Sequence, residues 1–409
     1  MKSLFLILSL VIIISSCQDN PKQVAETEQK TTVSKINSLK PNINKELDSL
    51  HNLGVFNGFS VSIVDTSGIL YNRGFGYADI KNKKEYTENT IINIASISKV
   101  FIGISLLKAQ EMNLLDLDAP INDYLPFEVI NPNFPDELIT VRHLATHTSS
   151  IVDTDIYMKT CYVNRNNIAI DESLKEKYEL YYQNPSNNWI PLEEYLAKIL
   201  VKGNELYDTA TYANRKPNEI YEYSNIGAAL CALVIESVAK KPFHEFTKEH
   251  IFEPLGMSAT SWLFEEVDSS NYSKLYFDNQ ELPYYTILSY PDGGLITSST
   301  DLSKFLIDLI KGYDGNGKLL NKDNYEEFFK SQLKKENFKG KENFNVGFFL
   351  DKELAYNAIG HTGGDPGTNT LMYFDSEKKV GRIFIANTDS EKENSNDVFW
   401  GIWNVLEIK

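Results

Sequence analysis

Basic residues are in deficit: 40 Lys and Arg face 56 Asp and Glu, for a net charge of −16. A chain that neutralises nucleic-acid phosphates needs clustered Lys and Arg. No basic stripe occurs here, so nucleic acid is excluded as a partner. Histidine is sparse too. The six are scattered, and between His143 and His147, at i and i+4, the Glu of an H-E-x-x-H zinc site is missing. His143 and His147 are read as local structure, and no metal is expected. Of three cysteines, Cys17 is near the start, while Cys161 and Cys231 leave open one disulfide or two free thiols; Cys231 lies in the apolar run AALCALVIESV, where a buried thiol is at home. No internal repeat is visible.

The run Leu4–Ile14 is apolar apart from Ser9, too short to span a bilayer of about 30 Å and of the length of a signal-peptide core. It leads into Ile14-Ser15-Ser16-Cys17, which resembles a bacterial lipoprotein signal, where a small residue precedes a cysteine that is lipidated and becomes the mature N-terminus. The alternative is an ordinary secretory peptide cut nearby, with Cys17 incidental. The lipoprotein reading implies an exported protein of the bacterial cell envelope, held on a membrane by acyl chains worth about 0.8 kcal/mol per buried CH₂. The division expected is residues 1–16 as signal, 17–45 as lipidated Cys17 and polar flexible tether, and 46–409 as the folded domain.

A 42% hydrophobic and 12% aromatic composition supports a packed globule. FSVSIVDTSGILYNRGFGYAD, Phe59 to Asp79, reads as a hairpin about Thr66-Ser67-Gly68. IINIASISKVFIGISLL comes next, apolar on every face of a helix from about Ser98 to Met112, hence a buried one. Residues from about Val152 to Asn218, rich in Tyr and Asn, read as an insertion over one side of the molecule. IGAALCALVIESVAKK and PFHEFTKEHIFEPLGM read as helices. ENFNVGFFLD, NTLMYFDS and KVGRIFIANTD read as β-rich, and a last helix spans about Asn394 to Leu406. Strands at both ends with helices between predict one α+β domain, its sheet closed by both ends of the fold, with an inserted mostly helical lobe.

The buried helix carries one charge at its start, Lys99, three residues after Ser96. A serine hydroxyl needs a base to become a nucleophile, and a desolvated lysine shifts toward its neutral, basic form. The spacing S-x-x-K also occurs at Ser105, Ser237, Ser331 and Ser376, where a helix serine beside a snorkelling lysine suffices. Ser96 is set apart by two motifs further along the chain: Tyr223-Ser224-Asn225 before a long apolar helix, then Gly360-His361-Thr362-Gly363-Gly364 near the C-terminus.

Ser-x-x-Lys, Tyr-x-Asn and His-Thr-Gly, in this order, resemble the penicillin-recognising serine hydrolases: class C β-lactamases, low-molecular-weight DD-peptidases and their esterase and D-aminopeptidase relatives. ITVRHLATHTSSI, FEPLGM and DGGLITSSTDLSKFL extend the resemblance over most of residues 46 to 409. It implies an antiparallel sheet flanked by helices, a site at the junction with the helical lobe, and no cofactor. By the same resemblance Ser96 is the nucleophile, and Lys99 and Tyr223 move its proton, Tyr223 being held toward phenolate. Asn225 binds the substrate amide or orients Lys99. His361, where most β-lactamases have Lys, meets a substrate carboxylate when protonated, aided by Thr362 and Gly363. The backbone N–H groups of Ser96 and Gly364 form the oxyanion hole. The substrate is then a small-molecule ester or amide or a peptidoglycan-derived compound: an ester, a D-amino-acid peptide or a β-lactam. The rival is a non-catalytic lipoprotein that binds penicillin or peptidoglycan fragments. Replacing Cys17 by Ala should move the protein from the membrane to the soluble fraction with activity intact; unchanged fractionation would refute the anchor.

Overall fold

A computed structural model describes residues 40–407 apart from 166, 341, 343, 353 and 356. The signal segment, Cys17 and the first part of the tether lie outside the described residues. A helix, α1 (40–51), begins within the segment expected to be tether, because Ile43 and Leu47 bury their side chains against the sheet. The fold therefore starts earlier than residue 46.

The expected hairpin is β1 (Gly58–Asp65) and β2 (Gly68–Asp79). Its turn forms because Asp65 Oδ1 accepts from the N–H of Ser67 (2.7 Å), while Gly68 takes φ 144°, which a side chain would oppose. After β3 (Lys84–Glu85), the chain returns to this sheet only near its end, as β4 (Ala358–Asp365), β5 (Thr368–Asp375) and β6 (Val380–Ala386). The strand order is β4-β5-β6-β1-β2-β3, with antiparallel pairing throughout. β1 pairs with β6 (Phe59 opposite Ala386), so the two ends of the fold close the sheet, and β4 is left at an edge.

Alternation along β1 assigns the two faces. Phe59, Val61 and Ile63 face the layer made by α1 and the C-terminal helix α5 (Ser395–Val405). Ser62 faces the opposite way, accepting a hydrogen bond from Ser303 (2.8 Å) of α4 (Ser299–Tyr313). Behind α4 lies α2 (Ser98–Glu111), whose apolar residues are buried on every side, as its sequence requires. Phe101 of α2 stacks on Phe305 of α4 with ring centroids 3.8 Å apart, and α3 (Asn225–Ala239) packs on the far side of α2 in the helical lobe. The fold is thus the expected α+β sheet with an inserted helical lobe. Cys161 and Cys231 are both buried and free. No helix among the described residues is long and apolar enough to cross a membrane.

ENFNVGFFLD departs from expectation. Among its described residues it forms only isolated bridges, Asn345 with Asp351 and Asp351 with Gly360. Gly347 at φ 94° and Phe349 at φ 55° break any extended run, and Phe348, Phe349 and Leu350 are apolar because they are buried, not because they pair. Leu47→Ala should destabilise the protein by about 2–5 kcal/mol, since Leu47 has no exposed surface. Urea unfolding tests this, and a midpoint unchanged by the substitution would show that α1 is dispensable to the fold.

Candidate active site

Ser96 lies in a 3-10 turn, Ala95–Ile97, that runs straight into α2. The turn is held from several elements. Ile94 N–H donates to Leu295 O (2.9 Å), Ala95 N–H to Asn93 Oδ1 (2.6 Å), and Thr370 Oγ1 of β5 to Ile94 O (3.0 Å). These bonds sustain a left-handed Ala95, φ 49°, a conformation that costs a non-glycine residue on the order of 1–3 kcal/mol. On β4, Gly363 lies against the turn. A Cβ there would stand 2.3 Å from Thr370 Oγ1 and 2.5 Å from Ile94 O, so glycine is what lets the strand edge reach the serine.

Lys99, wholly buried at the start of α2, places Nζ 3.1 Å from Ser96 Oγ and also donates to the carbonyl oxygen of Asp292. Its Nζ is 5.0 Å from the ring centroid of Tyr223. Tyr223 is placed by the residues after it. Ser224 caps α3, accepting from Gly227 N–H (2.9 Å), while the N–H groups of Asn225 and Ile226 donate to Asp153 (2.9 and 3.0 Å), an anion at a helix N-terminus.

Gly360 exchanges both backbone hydrogen bonds with Asp351, away from β5. Backbone groups alternate along a strand, so the N–H and C=O of Thr362 and Gly364 also face the free edge. Around Gly364 no atom lies within 4 Å of a built Cβ, so the sheet face at that residue is open. Ser96, Tyr223, His361, Thr362, Gly363 and Gly364 together line a cleft of about 420 Å³. Its outer wall is Phe344, Asn345, Phe349 and Leu350, the segment that failed to form a strand.

Comparison with known proteins agrees with this geometry: the Beta-lactamase family profile matches residues 47–406. The chain belongs to the Beta-lactamase family. Within it, the chain is 26% identical over 401 residues to Penicillin-binding protein 4* of Bacillus subtilis, covering 90% of this chain and 77% of that protein. Protein flp of Staphylococcus aureus strain MW2 is 24% identical over 347 residues, covering 82% of this chain but 60% of its own length. The fold is shared with the octameric penicillin-binding protein homologue from Pyrococcus abyssi (TM-score 0.67, 24% identity, 90% and 76% coverage). It is shared as well with a D-amino acid amidase from Ochrobactrum anthropi SV3 complexed with D-phenylalanine (TM-score 0.66, 21% identity, 90% and 100% coverage).

Several expectations about this family site need correction. Burial works against the Lys99 ammonium, but Tyr223, Asp292 and Asp153 outweigh it and hold its pKa above the usual lysine value. Tyr223 is shifted upward too: desolvation around its hydroxyl exceeds the help from Lys99 and Ser96. Neither shift is toward the neutral amine or the phenolate that was expected. Asn225 has no hydrogen bond to Lys99; its Nδ2 donates to Asp153 (2.8 Å), which helps to fix the start of α3 beside Tyr223.

His361 differs most from expectation. It is 7% exposed, and burial together with the Lys99 charge lowers its pKa to about 4. At neutral pH it is an uncharged imidazole, unable to supply the positive charge expected to meet a carboxylate. Its Nδ1 contacts Thr362 O, an atom that only accepts, so Nδ1 carries the proton and Nε2 the lone pair. His143 and His147 are structural: Nδ1 of each accepts a backbone N–H, from Thr140 and Ser224 respectively, both at 3.1 Å.

The Tyr-rich insertion lies less over the cleft than beside its floor, where Tyr157 Oη donates to Asp292 Oδ2 (2.8 Å) and Tyr162 Oη to Asp365 Oδ1 (2.6 Å). Asp153, Asp292 and Asp365 are site residues that sequence reasoning missed. Two of them adjoin glycine pairs within the family-like motifs, Asp292 before Gly293-Gly294 and Asp365 after Gly363-Gly364. That adjacency was the available signal.

A histidine neutral in the fold down to about pH 4, but protonated in the unfolded chain below about pH 6.5, gives the unfolded state the extra proton between those values. Stability from this group is lost as pH falls through that window. Chemical unfolding of the parent and of His361→Gln at pH values across it should show the parent losing more stability than the variant. Parallel losses would mean that His361 is not held neutral.

Proposed function

We propose that the protein is a serine hydrolase that cuts an amide, β-lactam or ester through a covalent acyl-enzyme on Ser96. The observation that carries this reading is the 3.1 Å contact of Lys99 Nζ with Ser96 Oγ at the floor of an open cleft, with Tyr223 beside both. A binding protein has no need of a fully buried lysine, whose desolvation is only a cost.

Loss of one proton from the Lys99–Tyr223 pair creates the base. Ser96 Oγ then attacks the carbonyl carbon as its proton passes to the pair, and the negative oxygen settles between the N–H groups of Ser96 and Gly364. The pair returns the proton to the leaving amine or alcohol, and water repeats the sequence in reverse to free the acid. The Ser96 turn, held against Gly363, keeps the two N–H donors in one place, so they need no reorganisation when charge develops. By the reading of its N-terminus, the protein works on a membrane face, held through Cys17.

Ser96→Ala should abolish labelling by a fluorophosphonate. Lys99→Ala should leave the fold intact and slow labelling by about 10² to 10⁴-fold. Ser105→Ala, at a decoy S-x-x-K match, should label normally. Because both pKa values of the pair are raised, the labelling rate should climb with pH above neutrality as the pair loses one proton; the apparent value belongs to the pair. Labelling that is unimpaired in a folded Lys99→Ala protein would overturn the mechanism, and labelling that survives Ser96→Ala would overturn the nucleophile.

A further inference from the structure

Gly364 lines two cavities: the cleft that holds Ser96 and, beyond it, one of about 470 Å³ bounded by Tyr178, Tyr181, Asp365 and Asp389. Asp365 is the next residue on β4. Its Oδ1 accepts from Tyr162 Oη (2.6 Å), while its Oδ2 has no hydrogen-bond partner among the described residues. A methyl built on Gly293 would stand 3.6 Å from that Oδ2 and 3.9 Å from the carbonyl carbon of Ala95, the carbon of the peptide that bears the Ser96 N–H. One point in space thus touches both the carboxylate and the amide that would hold the substrate oxygen. Ile287 Cδ1 stands 3.3 Å from the same point, so this is a close-packed junction beside the two cavities.

Other charges nearby already have partners. Asp389 accepts from Tyr178 Oη (2.8 Å), Gly367 N–H (2.9 Å) and Asn369 Nδ2 (2.9 Å). Lys177 pairs with Glu391 and lies over the ring of Phe277. Lys99 is engaged with Ser96 and Asp292. Burial, opposed by the Tyr162 hydrogen bond and aided by Asp292, raises the Asp365 carboxyl to about 7. Asp365 is only partly buried and lines the larger cavity, so a donor on a ligand can reach its Oδ2.

The direction of the substrate is set by the proton path, and in this the inference rests on the Ser96 reading. The leaving group must lie near the Lys99–Tyr223 pair that protonates it. Tyr223 is on the His361 side, with ring centroids 6.1 Å apart. With the carbonyl oxygen at Gly364 N–H, the acyl substituent extends the opposite way along β4, toward Asp365.

We propose that Asp365 is the specificity residue of the acyl subsite, its Oδ2 receiving the free amino group of a substrate that carries an amine next to the scissile carbonyl. The substrate class is then an amino-acid amide or a peptide cut after its N-terminal residue. An acyl group ending in a carboxylate is rejected by the same oxygen.

Calorimetry on the Ser96→Ala protein, which cannot turn over its ligand, compares each enantiomer of phenylalanine amide with its N-acetyl derivative at about pH 7.5, where the α-amine is substantially charged. At least one free amine should bind about ten-fold or more tightly than its acetylated form. Asp365→Asn in the same background, which keeps an acceptor for Tyr162, should bring that ratio close to one. Equal or tighter binding of the acetylated amides by the Ser96→Ala protein overturns the proposal without recourse to the second variant. So does failure of both free amines to bind at millimolar concentration, and so does a ratio that survives Asp365→Asn. Fluorophosphonate labelling of the parent distinguishes the two readings: its absence refutes the hydrolase, while the calorimetric ratio still reports on the amine subsite.

Discussion

A wholly buried ammonium is the constraint around which this molecule is arranged. Lys99 starts a helix with apolar residues on every side, so its charge must be met by groups brought from elsewhere. The carbonyl of Asp292, the ring of Tyr223 and the hydroxyl of Ser96 meet it, with Asp153 adding its field. Each comes from a different stretch of chain, so these stretches must assemble around α2 before the lysine is satisfied. An unmet charge there would cost several kcal/mol, enough to make the site's assembly part of folding itself.

The same charge sets the protonation of its neighbours. It helps to keep His361 neutral and lowers the pKa of Asp292 and Asp365 against burial, which nevertheless leaves them at about 6 and about 7. Among the described residues the site thus combines the buried Lys99 cation with a neutral imidazole and carboxyls tuned near neutrality. A site of this kind differs from one built with a surface lysine at the His361 position. It offers acceptors where the other would offer a permanent positive charge, and this difference in charge, more than cleft shape, separates the substrates each can hold.

Backbone geometry supplies the rest. Gly363 lets β4 approach the left-handed turn at Ala95, and Thr370 of the adjacent strand ties the turn to the sheet. Nucleophile and strand edge are thus tied to one another, so a shift of the sheet against α2 would part the Gly364 N–H from Ser96.

Composition and periodicity were enough for much of this. The hairpin from Gly58 to Asp79, the all-round burial of α2 and the return of strands near the C-terminus come from alternation and apolar content, which are local properties. The motif residues Ser96, Lys99 and Tyr223 were legible because their order and spacing are written along the chain. Only the tertiary structure decided the role of Asn225, since its partner Asp153 is 72 residues away, and the state of His361, since desolvation depends on what packs around it. ENFNVGFFLD reads as a strand because burial and pairing select the same apolar residues, and only the left-handed Phe349 and the close approach of Gly347 to Phe328 tell them apart. The glycine pair before Asp365 is written in the sequence, but the meeting of its strand with the Ser96 turn comes from the closing of a sheet whose strands are hundreds of residues apart.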